Sequence, residues 1–330
     1  MRRSGVVLIL IAVLVAGFAL WLRSQDAAVV AGPSDSTSST AAGDHDSSTS
    51  TQPDTSTSTA PLPQHPVCDL HDEVSVVGTV ESPDLVEASG LAVSRTTPDV
   101  LWSHNDSRDG PFLYAMTTGG ADLGTFEIPG TFALDWEDIA IGPAADGTGS
   151  YIYVADIGDN LGIRSGVVNL WRVADADPVA LEPVFRDPVP ISLEMPGGPY
   201  DAEAIFIDPV DPSVYLITKS RDEALVFRGP LEPAEEPHEM TLVTTLFLDA
   251  EVSGADISPD GQVIALRGYR TVWMWTRSAG ETIEDAFRLD PCTAPSPDET
   301  QGESIALTAD WSYFTVSEGA NSPISYVPAG

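Results

Sequence analysis

Asp135-Trp-Glu-Asp-Ile-Ala-Ile141 is one of five versions of a single seven-residue pattern. The others are Glu87-Ala-Ser-Gly-Leu-Ala-Val93, Asp201-Ala-Glu-Ala-Ile-Phe-Ile207, Glu251-Val-Ser-Gly-Ala-Asp-Ile257 and Gln301-Gly-Glu-Ser-Ile-Ala-Leu307. Their first residues lie 48, 66, 50 and 50 positions apart. Positions five and seven are apolar throughout, with Ala255 the smallest, and a period of two marks a strand with one buried face. Repeats of this length belong to the blades of radial β-architectures rather than to helical solenoids.

Each copy is followed by a turn and a second strand: Val100–Trp102, Tyr151–Val154, Val214–Ile217, Val263–Leu266 and Tyr313–Val316. The turns carry Pro-Asp or Asp-Gly, as in Ser258-Pro-Asp-Gly261. Third strands are expected at Phe112–Ala115, Val167–Trp171, Ala224–Phe227, Thr271–Trp275 and Ile324–Val327. Fourth strands should end near Ile128, Leu193, Leu248 and Leu289, and no helix is expected. The fifth unit reaches Gly330 with three strands, while Glu73–Val80 stands as an orphan strand before the first repeat. Placing the orphan on the last blade closes the ring and removes an open edge.

The fold expected is therefore all-β: a β-propeller of five four-stranded blades closed by an N-terminal strand. Six blades are the alternative count, because the 66-residue step leaves room around Val179–Met195. Cys68 precedes the closing strand and Cys292 precedes the fifth repeat, so a disulfide between them would lock the closure.

The chain divides into residues 1–24, 25–66 and 67–330. The first part runs uncharged from Gly5 to Leu22 after Arg2 and Arg3, long enough as a helix to span roughly 27 Å. Its bulky end, Leu20-Trp-Leu-Arg23, suits an uncleaved transmembrane anchor better than a cleaved signal. The two leading arginines put the N-terminus inside and the propeller outside the cell membrane; cleavage would make the protein secreted. The second part is a disordered linker rich in Ser, Thr, Asp and Pro, in which His45 and His65 are solvated rather than metal ligands.

The net charge of −35, from 50 acidic and 15 basic residues, argues against nucleic acid as partner and favours cations. Ser103-His-Asn-Asp-Ser107, Leu134-Asp-Trp-Glu-Asp138, Ala155-Asp-Ile-Gly-Asp-Asn160 and Asp201-Ala-Glu-Ala204 resemble stretches of secreted bacterial WD40-like β-propeller proteins of unassigned function. The resemblance covers most of Val80–Tyr326. It implies the propeller fold and brings no catalytic residues. The motif set of calcium-dependent propeller phytases is incomplete here.

First strands of propeller blades line the channel, and the loops that enter them and leave the second strands ring one end. Candidate metal ligands there are Asp135, Glu137, Asp138, Asp201, Glu203 and Glu303, oxygen donors suited to Ca²⁺. His104, Asn105, Asp106, Trp136, Lys219 and Arg267 are candidate ligand-binding residues, with Trp136 as a stacking platform. Lys219, Arg221, Arg267 and Arg270 would make one side of the rim basic, fitting a small anionic or zwitterionic ligand. The function expected is a monomeric, membrane-anchored module that binds a ligand or an envelope protein, with Ca²⁺ as its ion. The alternative is a metal-dependent hydrolase of phosphoesters or lactones with Glu137, Glu203 or Glu303 as base. Neither a zinc-spaced histidine cluster nor a Gly-x-Ser-x-Gly elbow is present.

Overall fold

The computed structural model describes residues 66–106 and 109–330. The expected membrane helix and nearly all of the linker, with His45 and His65, lie outside the described residues. Among the described residues no helix is long and apolar enough to cross a membrane.

Among the described residues twenty-one strands make five blades, antiparallel apart from the short β13. β1 (Ser75–Thr79) comes first in the chain. Blade one is β2 (Ala88–Val93), β3 (Val100–Asn105), β4 (Phe112–Thr117) and β5 (Asp122–Glu127). Blade two is β6 (Trp136–Gly142), β7 (Tyr151–Asp156), β8 (Val167–Ala174) and β9 (Val189–Glu194). Blade three is β10 (Ala202–Ile207), β11 (Val214–Thr218), β12 (Ala224–Gly229) and β14 (Thr241–Leu246). The intervening β13 (His238–Glu239) leaves that blade to pair in parallel with β9 at the outer edge of blade two. Blade four is β15 (Gly254–Ile257), β16 (Val263–Gly268), β17 (Thr271–Thr276) and β18 (Cys292–Ala294). Blade five is β19 (Ala306–Leu307), β20 (Tyr313–Val316), β21 (Pro323–Val327) and then β1.

Closure follows the sequence expectation. β1 pairs antiparallel with β21, Ser75 opposite Tyr326 and Thr79 opposite Pro323. Cys68 and Cys292 are disulfide-bonded with Cα atoms 6.0 Å apart, joining the approach to β1 with the outer strand of blade four. The five-blade count holds over six: the long step between the second and third repeats is spent on connections within blade two, and Val189–Glu194 is that blade's own fourth strand. One expected strand is wrong. The segment to Leu289 holds a single helical turn, α1 (Ile283–Ala286), started by a capping box between Thr282 and Asp285. The fourth strand of blade four begins three residues later.

Why the ring stands is visible in its apolar layers. There are five, one per seam between neighbouring blades: Trp102 with Ile139 and Val154, Ala140 with Ile205 and Phe227, Phe206 with Ile264 and Trp275, Val263 with Leu307 and Tyr313, and Phe314 with Leu91 and Tyr114. The apolar positions of each repeat are thus shared between two seams. Side-chain hydrogen bonds across the axis fix the register of the first strands. Asp138 Oδ2 accepts from Ile205 N at 2.9 Å and Ala255 N at 3.2 Å, and its Oδ1 accepts from Ile139 N at 2.8 Å. Asp256 Oδ2 accepts from Leu307 N at 2.7 Å. At the third repeat position, Ser89 Oγ donates to Glu137 O at 2.5 Å and Ser253 Oγ to Gly302 O at 3.0 Å, each reaching the next blade.

Candidate cation-binding site

In an antiparallel blade the start of the first strand and the end of the second lie at the same end. Asp135, Glu137, Asp201, Glu203 and Glu303 sit at or near starts; Asp106, Lys219 and Glu318 follow second strands. One mouth of the channel therefore collects them all.

Two carboxylate triads form there and share Glu137. Asp106, Asp135 and Glu137 each bring one oxygen within 4.8 Å of the others, and so do Glu137, Asp201 and Glu203. Glu137 is 3% exposed. Its Oε1 is buried and makes no hydrogen bond. Above it lies Gly158, where a Cβ would collide with Glu137 Oε1 and press on Asp135 Oδ2. A side chain at 158 would fill the space into which these two oxygens open.

Such crowding shows in the acidities. Burial, reinforced by the charges of Glu203, Asp106 and Asp135, pushes Glu137 up to about 11. Burial raises Glu203 as well, but Lys219 Nζ, 2.8 Å from its Oε1, holds it near 7. Glu303 rises to about 9 through burial and its neighbour Glu318. Burial also raises Asp135. Among the described residues Lys219 is the base seen paired here, with Glu203, and one ammonium does not balance Asp135, Glu137, Asp201 and Glu203. It relieves Glu203 and leaves Glu137 far from its ordinary acidity.

The remaining candidates occupy other places. Asp138 is consumed by three backbone N–H groups, that of Ile139 in its own strand and those of Ile205 and Ala255 across the axis, so it stitches blades two, three and four. Trp136, expected as a stacking platform, is 1% exposed, packs in the seam of blades one and two, and meets His104 edge to face at 5.8 Å. His104 is fully buried, its Nδ1 2.8 Å from Asn105 O, and burial depresses it to about 4. Asn105 accepts from Val86 N and Glu87 N and donates to Asp84 O and Asp109 Oδ2, which holds the chain at the entry to blade one. Arg267 is also wholly buried and paired with Glu299. The other bases expected at the rim are paired: Lys219 with Glu203, and the exposed Arg221 and Arg270 with Glu251 and Asp298. Of the six ligand-binding candidates, Asp106 and Lys219 reach the nest.

Sequence reasoning missed Gly158, Arg164 and Glu318. Arg164 bonds to Asp156 and to Gly158 O, fixing the loop beside the nest. The long step between repeats two and three and the Ala155–Asn160 stretch were the signals for Gly158 and Arg164.

A scan of protein-family models returns no match to this chain, and a search of curated proteins returns none. Among solved structures, similar chains include the PQQ-bound form of an aldose sugar dehydrogenase from Streptomyces coelicolor. It is 13% identical with a TM-score of 0.45, covering 77% of this chain and 97% of that one. The apo-form soluble aldose sugar dehydrogenase of Escherichia coli is 9% identical at a TM-score of 0.45, covering 78% and 99%. At this distance the likeness assigns neither residue nor reaction, and the site has to be read from its own chemistry.

Proposed function

We propose that the chain is a propeller-based binding module whose channel mouth holds a divalent, oxygen-seeking cation, with Ca²⁺ the best fit. The observation that carries this is the shared Glu137: two carboxylate triads converge on a residue whose Oε1 is buried and unpartnered. Every donor is a hard carboxylate oxygen, and no thiolate or imidazole joins the two triads, which suits Ca²⁺ over softer metals. Asp106, Asp135, Glu137, Asp201 and Glu203 would hold the ion. It would supply the positive charge that Lys219 alone does not. Hydrolysis with Glu137, Glu203 or Glu303 as base gains no specific support among the described residues, so binding is the reading we adopt.

On this reading the module lies outside the membrane, anchored through residues 1–24. What supports this is the Cys68–Cys292 bond, which belongs to an oxidising compartment. Protease added to intact expressing cells should release the propeller by cutting within residues 25–66; complete protection would remove this placement.

Calorimetric titration of Ca²⁺ into the full chain tests the ion. Saturable binding with Kd at or below about 10⁻³ M, the range of extracellular calcium modules, is expected. Glu137→Gln should abolish it. Absence of saturable heat, or heat unchanged in the variant, overturns the proposal.

A further inference from the structure

Beside the nest, the β7–β8 connection, residues 157–166, is much longer than its counterparts 219–223 in blade three and 269–270 in blade four. It encloses a cavity of about 270 Å³. Leu134, Leu161 and Ile163 wall it, and Asp135 and Gly158, which belong to the nest, form part of its lining. These aliphatic side chains are 40%, 78% and 64% exposed, an unfavourable way to leave three large apolar groups together. The loop is nevertheless held in place. Asp159 Oδ1 accepts from Ile163 N at 2.7 Å and Arg164 N at 3.0 Å, and Asp159 N donates to Asp201 Oδ1 at 2.7 Å. The wall is thereby tied to a carboxylate of the second triad and preformed for a ligand.

Charge narrows what would enter. Asp135, Glu137, Asp201 and Glu203 by themselves outnumber the charges of one divalent ion and Lys219, and the Arg164 guanidinium is occupied by Asp156 and Gly158 O. An anion placed here would meet residual negative charge with no free base among the described residues to hold it. A neutral oxygen, by contrast, can complete the six to eight ligands that Ca²⁺ takes without adding charge. The cavity also falls below the roughly 300–1,000 Å³ of sites that take drug-sized molecules.

We infer that this cavity is the organic-ligand subsite of the module. It takes a small, uncharged, hydroxyl- or carbonyl-bearing molecule whose oxygens join the ion at Asp135 and whose apolar face lies on Leu134, Leu161 and Ile163. The inference rests on the cation reading above. It replaces the anionic or zwitterionic class expected from the sequence, because the bases that suggested that class are paired or buried.

Three probes with one apolar body separate the possibilities: cis-1,2-cyclohexanediol, cyclohexanecarboxylate and cyclohexylamine. Ligand-observed NMR on the full chain is recorded with Ca²⁺ and with chelator, alongside Ca²⁺ calorimetry. The diol is expected to bind at least tenfold more tightly with Ca²⁺ present and in preference to both charged probes. Leu161→Ser with Ile163→Ser should weaken the diol roughly tenfold through lost apolar contact while leaving the Ca²⁺ isotherm unchanged. The unchanged isotherm also shows that the variant is folded. Absence of Ca²⁺ heat overturns the cation reading beneath the inference. Ca²⁺ heat with a diol signal that ignores the ion or the double substitution, or with tighter carboxylate or amine binding, overturns the inference alone.

Discussion

Replacing Glu137 by Gln should make the metal-free protein more stable and the calcium response vanish. In the folded chain burial and neighbouring carboxylates push Glu137 to about 11, against an ordinary 4.5. At pH 7 the folded state therefore keeps a proton that the unfolded state gives up, so unfolding releases it and stability falls as pH rises above about 4.5. The cost at pH 7 spans the 2.5 or so units between 4.5 and 7 and depends only on the folded value lying above 7. At about 1.4 kcal/mol per unit this is at most about 3.5 kcal/mol. Gln has the same shape and no proton to acquire, so it escapes the cost. For a domain of this size the gain amounts to roughly 5–10 °C in Tm. At pH 5 the same arithmetic leaves less than about 1 kcal/mol. The assay is thermal melting with chelator at both pH values, repeated in excess Ca²⁺, where wild type at a hundred times Kd should gain about 2.7 kcal/mol. A variant that melts below wild type at pH 7 without metal, a gain equal at pH 5 and 7, or an intact calcium shift would each refute the reasoning.

Gly158→Ala places a methyl against Glu137 Oε1 and Asp135 Oδ2, so Ca²⁺ affinity should drop at least tenfold, about 1.4 kcal/mol, with an unchanged circular dichroism spectrum; calorimetry reads it. Asp138→Ala leaves buried N–H groups of Ile139, Ile205 and Ala255 without their carboxylate acceptor, and at about 1–3 kcal/mol each the loss in denaturant melts should reach at least about 3 kcal/mol. Cys68→Ser with Cys292→Ser opens a cross-link between residues 224 apart and should cost about 2–5 kcal/mol, with protease cutting ahead of β1 first. Because that bond ties blades four and five while the nest belongs to blades one to three, its loss and the loss of Ca²⁺ should add within about 0.5 kcal/mol in a double-perturbation melt.

Blade count and closure were legible because both depend on the backbone and on apolar period. Ile139 and Ile141, or Ile205 and Ile207, announce a buried face whatever lies opposite, and an orphan strand has one vacant edge to fill. The turn at Ile283 was also written in the chain, as the capping spacing of Thr282 and Asp285, but its apolar neighbours read as strand. The site was harder. Sequence places Asp135, Trp136, Glu137 and Asp138 side by side, yet alternation sends Glu137 into the mouth and Trp136 into a seam, while Asp138 spends its Oδ2 across the axis. Residue type suggested ligand contact for Trp136, His104, Asn105 and Arg267. Each is instead buried, Arg267 against Glu299 and Asn105 against Asp84 and the backbone of Val86, residues distant in sequence. No spacing rule reveals such partners.

The third position of the repeat shows how one backbone serves two ends. Where it is Ser89 or Ser253, the hydroxyl reaches the carbonyl of Glu137 or Gly302 in the following blade, fixing the strand on which the next acid stands. Where it is Glu137 or Glu203, the same position turns an acid into the mouth. Ser89 thus holds the main chain of the residue whose own carboxyl is pushed up to about 11 by burial first and by neighbouring carboxylates second. Glu137 cannot retreat from Asp135 and Glu203 by shifting its strand: Asp138, its neighbour in sequence, is bonded to blades three and four. Repulsion that would relax a looser fold is therefore retained in the nest of the metal-free chain. The relief it leaves open is a proton or a cation, and at neutral pH a divalent ion shared by both triads relieves more of it than a proton on Glu137 alone.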